Sequence, residues 1–375
     1  MILGVLKESA PERRVAILPE HINDLKKAGF SAVWVEFDSG AHAFTADASY
    51  TENEAIPKSR SEILTSAQVI VSIHCPEVTE LSPKQVLVTQ MNPLANESLV
   101  LSLAEKRISS FSMDMVPRST KAQAMDVLSS MATSAGYKAV LQAAQYLPKF
   151  FPMFMTAAGT VKPAKVLILG AGVAGLQAIS TARRLGAVVE AFDVRAAAKE
   201  EVLSLGAKFV EVAGARDDAA AGGYAVEQTE EYQKKQAALI QEHACKADVI
   251  ISTAQIPGRK APLLVTEETI QNMRPGSVIV DLAASTGGNC AFTKNNEIIE
   301  VHGVTIIGDS NLASSIPMDS SKMYGKNLIN FFREVISEGA IQFDFENEIT
   351  KNACITHQGE IISPRILNQF QSVKS

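Results

Sequence analysis

The chain has 375 residues, of which 46% are hydrophobic and 20% charged, and its 35 basic and 41 acidic side chains leave a net charge of −6. This is the composition of an ordinary globular protein of about two domains, and a mildly acidic chain without basic runs is not built to hold a nucleic-acid backbone. Cys75, Cys245, Cys290 and Cys354 are scattered without C-x-x-C spacing and the six histidines do not cluster, so we expect reduced thiols, a cytosolic setting and no metal site.

The N-terminus starts on a strand-like MILGVL, which leaves no room for a signal peptide, and no apolar run approaches the ~20 residues needed to span a bilayer. Strands are predicted at 2–6, 32–37, 69–73, 86–90 and 109–115, with helices at 19–28, 59–67 and 96–106. This alternation predicts a mainly parallel sheet. Residues 121–147 read as the longest helix, broken only by Gly136, and 153–161 as a loop. A helix at 196–205 and a strand at 208–212 precede a polar, Gly-containing stretch, 213–232, longer than most connections. Further strands are expected at 248–252, 277–282 and 304–308, a helix at 321–337 and strand character at 354–362. We therefore expect a discontinuous companion domain, 1–125 with 315–375, and a second domain at 137–310. The helix 121–147 joins them.

The most informative stretch is AKVLILGAGVAGLQAISTARRLGAVVEAFDVR (164–195). A buried strand at Val166–Leu169 leads into Gly170-Ala171-Gly172-Val173-Ala174-Gly175, a G-x-G-x-x-G, and a helix ends at Gly186. A second strand, Val188–Phe192, runs into Asp193. In that context the motif is the dinucleotide fingerprint: Gly170 for the tight turn, Gly172 for the approach of a pyrophosphate, Gly175 for helix–strand packing. The helix N-terminus faces the phosphates with free N–H groups. Asp193 would accept ribose hydroxyls and repel a 2′-phosphate, which favours NAD; Arg195 nearby is of the kind that accepts one.

Other candidates each have a plain alternative. Arg118, Gln123 and Asp126 precede or open the long helix, with Gln123 and Asp126 spaced to share a helical face; solvated charges at a helix start would look the same. Thr253-Ala254-Gln255 and Asp281-Leu282-Ala283-Ala284 follow strands, where ligands sit in open α/β sheets, although both are also ordinary loops. Gly287-Gly288-Asn289 reads as a turn that tolerates positive φ. Arg13 and Arg14 offer positive charge after the first strand. His74 is a candidate general acid, but a lone histidine is more often structural. Tyr224, after Gly222-Gly223, is placed to cover a cofactor or simply to lie on the surface.

The segments PRSTKAQAMDVLSS (117–130), MTAAGTVKPAKVLILGAGVAGLQAI (155–179), FDVRAA (192–197), AGGYA (221–225), PGSVIVDLA (275–283) and KNLINFF (326–332) resemble the proton-translocating NAD(P) transhydrogenase family. The likeness is to its soluble NAD(H)-binding component, over essentially the whole chain. It implies an α/β fold of two Rossmann-like domains with parallel sheets, joined by long helices, with NAD in the interdomain cleft. It implies Re/Si-specific hydride transfer between NAD(H) here and NADP(H) on a partner β subunit. Proton translocation would belong to membrane-spanning partners, including a separate portion of the alpha subunit. A homodimer, cytoplasmic and attached to the inner membrane only through those partners, is also implied.

By the same resemblance Arg118, Ser119, Gln123, Asp126 and Ser129 would meet the nicotinamide and its ribose. Val173, Ala174 and Gly175 would hold the pyrophosphate, and Asp193, Val194 and Arg195 the adenosine ribose. Gly223, Gln236 and Gln255 would line the site, with Tyr224 on a closing loop. KESAPERRVAILPE (7–20) is similar to alanine dehydrogenase, which handles an imino acid with a Lys and a His. Here Ser72-Ile73-His74-Cys75-Pro76 carries no Lys and Gln90-Met91-Asn92-Pro93 no His. Transfer between two nicotinamides needs no proton donor, whereas an amino-acid dehydrogenase does. Ser285 stands where the family often has an acid.

Overall fold

Strand β1 (Ile2–Val5) is apolar on both faces. Leu3 and Val5 are fully buried, and Gly4 gives room to Ile63, whose side chain a Cβ would meet at 2.4 Å. Such strands belong inside parallel sheets covered by helices. The computed structural model describes residues 1–212, 229–256 and 258–374. After β1 come α1 (Ile22–Lys27), β2 (Ala32–Glu36), α2 (Asp47–Glu52), β3 (Ile56–Lys58), α3 (Arg60–Ser66), β4 (Val69–His74), β5 (Val86–Gln90), α4 (Glu97–Glu105) and β6 (Ser109–Ser112).

Next come α5 (Val127–Tyr146), β7 (Phe154–Thr156), β8 (Gly159–Val161), β9 (Lys165–Leu169), α6 (Val173–Arg184), β10 (Val188–Phe192), α7 (Ala198–Ser204) and β11 (Lys208–Phe209). They are followed by α8 (Glu230–Ala244), β12 (Val249–Ser252), α9 (Glu267–Gln271), β13 (Val278–Asp281), β14 (Ile298–Val301) and β15 (Val304–Ile307). The chain closes with α10 (Pro317–Val335), β16 (Ile336–Ser337), β17 (Ala340–Ile341), α11 (Glu348–Ala353), β18 (Cys354–His357), β19 (Glu360–Ile361) and α12 (Pro364–Lys374). No described helix is long and apolar enough to cross a membrane.

Two compact units result, Met1–Met131 with Ser314–Ser375, and Ala132–Ala313. In the first, the described residues form an eight-stranded sheet ordered β19-β18-β6-β5-β4-β1-β2-β3. β1 to β6 are parallel, and β18 and β19 add antiparallel strands at one edge. In the second, a seven-stranded sheet runs β11-β10-β9-β12-β13-β15-β14, parallel except for β14. The strand order reverses at β9, with β10 on one side and β12 on the other. That reversal opens a crevice at the carboxyl ends of β9 and β12. Val166 and Ile168 of β9 pack with Ala139, Val140, Ala178 and Ile179 on one face, and Leu167 and Leu169 with Phe192 and Ile240 on the other.

Four expectations about local structure are corrected. The helix expected over 121–147 begins at Val127, and Gln123–Met125 is a separate 3-10 turn, so Gln123 and Asp126 share no helical face. The cause is Asp126, whose carboxylate accepts the Ser129 N–H at 2.9 Å and starts the helix there. The strand expected over 109–115 stops at Ser112, whose hydroxyl donates to Asp114. Asp114 also accepts the Asn92 N–H, and the chain turns at Met113–Met115. The loop expected at 153–161 is a hairpin, β7–β8, with Phe150 and Phe154 in edge contact at 4.8 Å. Within the stretch read as loop, Thr229 caps α8 by accepting the Tyr232 N–H, and the helix runs on to Ala244; residues 213–228 lie outside the described ones.

The contact between His21 and α10 makes this packing testable. His21 is 3% exposed and its Nδ1 accepts the Leu18 N–H at 3.1 Å. Burial pushes the ring's pKa down from 6.5 to about 4, so it is neutral in the fold. Gly325 of α10 lies against it; a Cβ there would fall 2.2 Å from the ring. Between pH 6.5 and 4 the unfolded chain binds a proton that the folded ring does not. That costs about 3 kcal/mol of stability as the pH falls through this window. Urea unfolding at pH 7 and 4.5 should show this loss in wild type and a smaller one in His21→Asn. Equal pH slopes would refute it.

Candidate functional site

At the end of β9, Gly170 has φ +98° and donates its N–H to the Phe192 carbonyl at 2.8 Å, which closes the turn against β10. Only glycine takes that φ without strain. Gly175 lies so near that a Cβ would be 1.9 Å from the Gly170 oxygen. A Cβ on Gly172, by contrast, would meet nothing within 4 Å among the described residues. No side chain caps α6 at Gly172, so the N–H groups of Val173, Ala174 and Gly175 are left at the helix start beside open space. Behind the turn, a Cβ on Gly136 of α5 would be 2.1 Å from the Ala174 oxygen. The glycine that interrupts the helical pattern of α5 is thus where that helix meets the first turn of α6. The arrangement fits a pyrophosphate: free donors, a positive dipole end and room for a ligand.

Asp193 follows β10 and is already engaged. One oxygen accepts the Ala171 N–H at 2.7 Å and Arg195 Nη2 at 2.8 Å; the other accepts the Arg195 N–H at 2.8 Å and Nε at 2.9 Å. The Asp193 side chain is 7% exposed and that of Arg195 25%. The acid and the arginine, which pull in opposite directions in the sequence, are one bidentate pair. Val194 packs against the core beneath. Gln236 lies half-buried on α8, one turn beyond Tyr232. Tyr232 was missed in the sequence because it sits at the edge of a polar stretch; burial, and then the charge of Asp193, push its phenol pKa up. Gly223 and Tyr224 lie outside the described residues.

The loops after β9, β12 and β13 are tied to one another. Thr253 Oγ1 donates to the Gly170 carbonyl at 2.9 Å. Asn289, fully buried, accepts the Ala254 N–H and donates to the carbonyls of Ala254 and Pro262. Gln255 Nε2 donates to the Leu282 carbonyl at 2.8 Å. Asp281 is also fully buried and accepts the N–H groups of Ala283, Asn289 and Cys290 and the Thr293 hydroxyl. Its four bonds organise the loop over the left-handed Gly287 and Gly288, so Asp281 is structural. Nothing in the local sequence signals the Asp281–Asn289 network, which forms only across strands.

The other candidates lie in the first unit. Arg118 and Gln123 are exposed, and Ala122 and Met125 are the buried anchors beside them. Ser119 Oγ donates to Glu348 at 3.1 Å, and Lys121 pairs with Glu334. Asp126 Oδ2 accepts the Ser129 hydroxyl at 2.6 Å, in addition to the N–H bond already described. The structure therefore joins Asp126 and Ser129 in one capped turn, with Gln123 on the separate 3-10 turn just before it and Arg118 further upstream. His74, at the end of β4, is 60% exposed, but its Nε2 lies 3.1 Å from Glu12, which is 4% exposed. Glu12 accepts Arg14 Nε at 2.8 Å and Nη2 at 2.6 Å, and Glu8 accepts the Ile73 and His74 N–H groups. Burial opposes ionisation of Glu12, but Arg14 and His74 outweigh it and hold the carboxyl well below its usual range. The Glu12 bond raises the pKa of His74. His74 is thus hydrogen-bonded to Glu12, while Arg13 lies over the Phe44 ring. Among the described residues, no group of three or more His, Cys, Asp or Glu side chains could hold a metal ion.

Comparison with known proteins covers nearly the whole chain. Residues 4–135 match the family model "Alanine dehydrogenase/PNT, N-terminal domain" and residues 139–364 its C-terminal counterpart. The first portion of the NAD(P) transhydrogenase alpha subunit of Rhodospirillum rubrum is 42% identical over 387 residues, covering 98% of this chain and 100% of that one. NAD(P) transhydrogenase subunit alpha of Haemophilus influenzae is 41% identical over 97% of this chain and 72% of its own length. A solved transhydrogenase from Sinorhizobium meliloti, 43% identical, superposes with a TM-score of 0.88 over 96% of this chain and 100% of that one. A solved L-alanine dehydrogenase, 23% identical, shares the fold with a TM-score of 0.83.

Proposed function

The chain belongs to the alanine dehydrogenase/PNT family, and we propose that within it this protein is the NAD(H)-binding component of a proton-translocating transhydrogenase. Hydride passes directly between NAD(H) on this chain and NADP(H) on a partner β subunit. Proton translocation belongs to membrane-spanning subunits, among them a separate portion of the alpha subunit. Two copies of this chain form the working unit on the cytoplasmic side of the inner membrane.

The observation that carries this reading is the chemistry at the ends of β4 and β5. An imino-acid substrate needs a proton donor beside it. Residues 72–76 carry no Lys and residues 90–93 no His, the two residue types with which alanine dehydrogenase handles an imino acid. Transfer from one nicotinamide to another leaves no proton to account for. The relatives named above, at 41–43% identity, support the same choice.

The bound nicotinamide supplies the hydride chemistry, and the chain supplies binding and orientation. The N–H groups of Val173, Ala174 and Gly175 take the pyrophosphate. Asp193, Val194 and Arg195 take the adenosine ribose, and the Asp193–Arg195 pair reserves that corner for a ribose without a 2′-phosphate. Gln255 and Gln236 line the remaining wall. Arg118, Ser119, Gln123, Asp126 and Ser129 orient the nicotinamide and its ribose. Rate then comes from two rings held at attack distance with water excluded. The chain mixed with an NADP(H)-binding partner component should let NADPH reduce an NAD analogue. Alone, it should not oxidise NADH with pyruvate and ammonia. The reverse pair of results would make it an alanine dehydrogenase.

A further inference from the structure

Helix α10 carries the segment KNLINFF (326–332), and its apolar side is fully buried through Leu328, Ile329, Phe331 and Phe332. Asn327 and Asn330 stand at i and i+3 on this helix. Both donate Nδ2–H to a single acceptor, the carbonyl oxygen of Ala124, at 2.9 and 3.0 Å. Ala124 is the middle residue of the turn Gln123–Met125, between Gln123 and Asp126. The two donors use both lone pairs of that one carbonyl.

Asn327 is 7% exposed, and its Oδ1 is buried with no hydrogen-bond partner among the described residues. Turning the amide over would set two acceptors face to face, so the donor must point at Ala124. A helix that needed only packing here would carry leucine; the orphaned oxygen accompanies a donor kept for another purpose. The turn's own bonds are sparse: Met125 N–H to Ala122 at 2.8 Å and Asp126 N–H to Gln123 at 3.3 Å. A buried, tightly packed helix therefore holds the backbone carbonyl that lies between Gln123 and Asp126.

We propose that Asn327 and Asn330 are positioning residues for hydride transfer, fixing the turn that presents Gln123 and Asp126 to the nicotinamide. The inference rests on the reading of the chain as the NAD(H)-binding component. The test uses Asn327→Leu, which removes donor and orphan together at similar volume, Asn330→Ala, and the double variant. With the NADP(H)-binding partner present, the double variant should lose kcat by about tenfold or more while KM for the NAD analogue stays within about twofold. The melting temperature of Asn327→Leu should not fall, whereas a purely structural amide would lower it. Asn330→Gln, which keeps a donor, should recover part of the rate. In the chain without nucleotide, amide exchange at Met125 and Asp126 should quicken in the double variant while α10 stays protected. Wild-type kcat, or unchanged exchange at Met125 and Asp126, would overturn the proposal. If the wild-type chain itself transfers no hydride, the functional reading fails, and the exchange measurement alone decides the role of the asparagine pair.

Discussion

Gly172→Ala should fold like wild type and bind NAD about tenfold or more weakly. Gly172 has φ −75°, which alanine adopts freely, and among the described residues its Cβ would meet no atom within 4 Å. The melting temperature should therefore move by no more than about 2 °C. The space the new methyl takes is the space proposed for the pyrophosphate, so the whole effect should appear in binding. Gly175→Ala should show the opposite order. Its Cβ would lie 1.9 Å from the Gly170 oxygen, a backbone atom that cannot swing aside. Overpacking of this kind costs about 1–3 kcal/mol or more and pushes α6 off β9. Thermal melts with calorimetric NAD titration separate the two variants. Wild-type affinity in Gly172→Ala would remove the pyrophosphate from this turn.

The second large effect is expected at Arg118 and Gln123. Arg118→Ala and Gln123→Ala should each lower the rate of hydride transfer by about a hundredfold while NAD affinity falls only a few-fold. Both side chains are exposed on the first unit and replacing them empties no core. A small displacement of the ring from attack geometry is costly in rate and cheap in binding. Asp126→Ala is a less clean probe, because the carboxylate also accepts the Ser129 N–H and hydroxyl at the start of α5. Loss of such a cap costs about 1 kcal/mol in its own right. Stopped-flow rates set beside equilibrium binding distinguish these cases. An unchanged rate in both Arg118→Ala and Gln123→Ala would mark the chain as a carrier of nucleotide without a catalytic role.

The two-domain α/β fold was legible because its signals are local. The strand expected at Val188–Phe192 is β10 to the residue, and the turn at Gly170 has the left-handed φ that its glycine implied. Apolar runs bounded by glycine leave few alternatives. Features set by partners distant in sequence were not legible. Asp126 reads as one more helical residue until Ser129 is seen to cap against it. Asp193 and Arg195 read as rivals until they are found paired. Asp281 and Asn289 hold three loops through bonds across strands, and Asn327 reaches back 203 residues to Ala124. The hairpin β7–β8 was hidden because its first strand has no alternation: Phe154, Met155 and Thr156 are all exposed.

Isotope tracing tests the proposed function most directly. The chain and an NADP(H)-binding partner component are combined in ordinary water with an NAD analogue and NADPH carrying deuterium at the transferring C4 position. Direct transfer between the two rings places the deuterium on C4 of the reduced analogue, with none released to solvent, as mass spectrometry would read. No reduction of the analogue, or a reduced analogue whose new hydrogen came from water, would contradict hydride transfer by this chain.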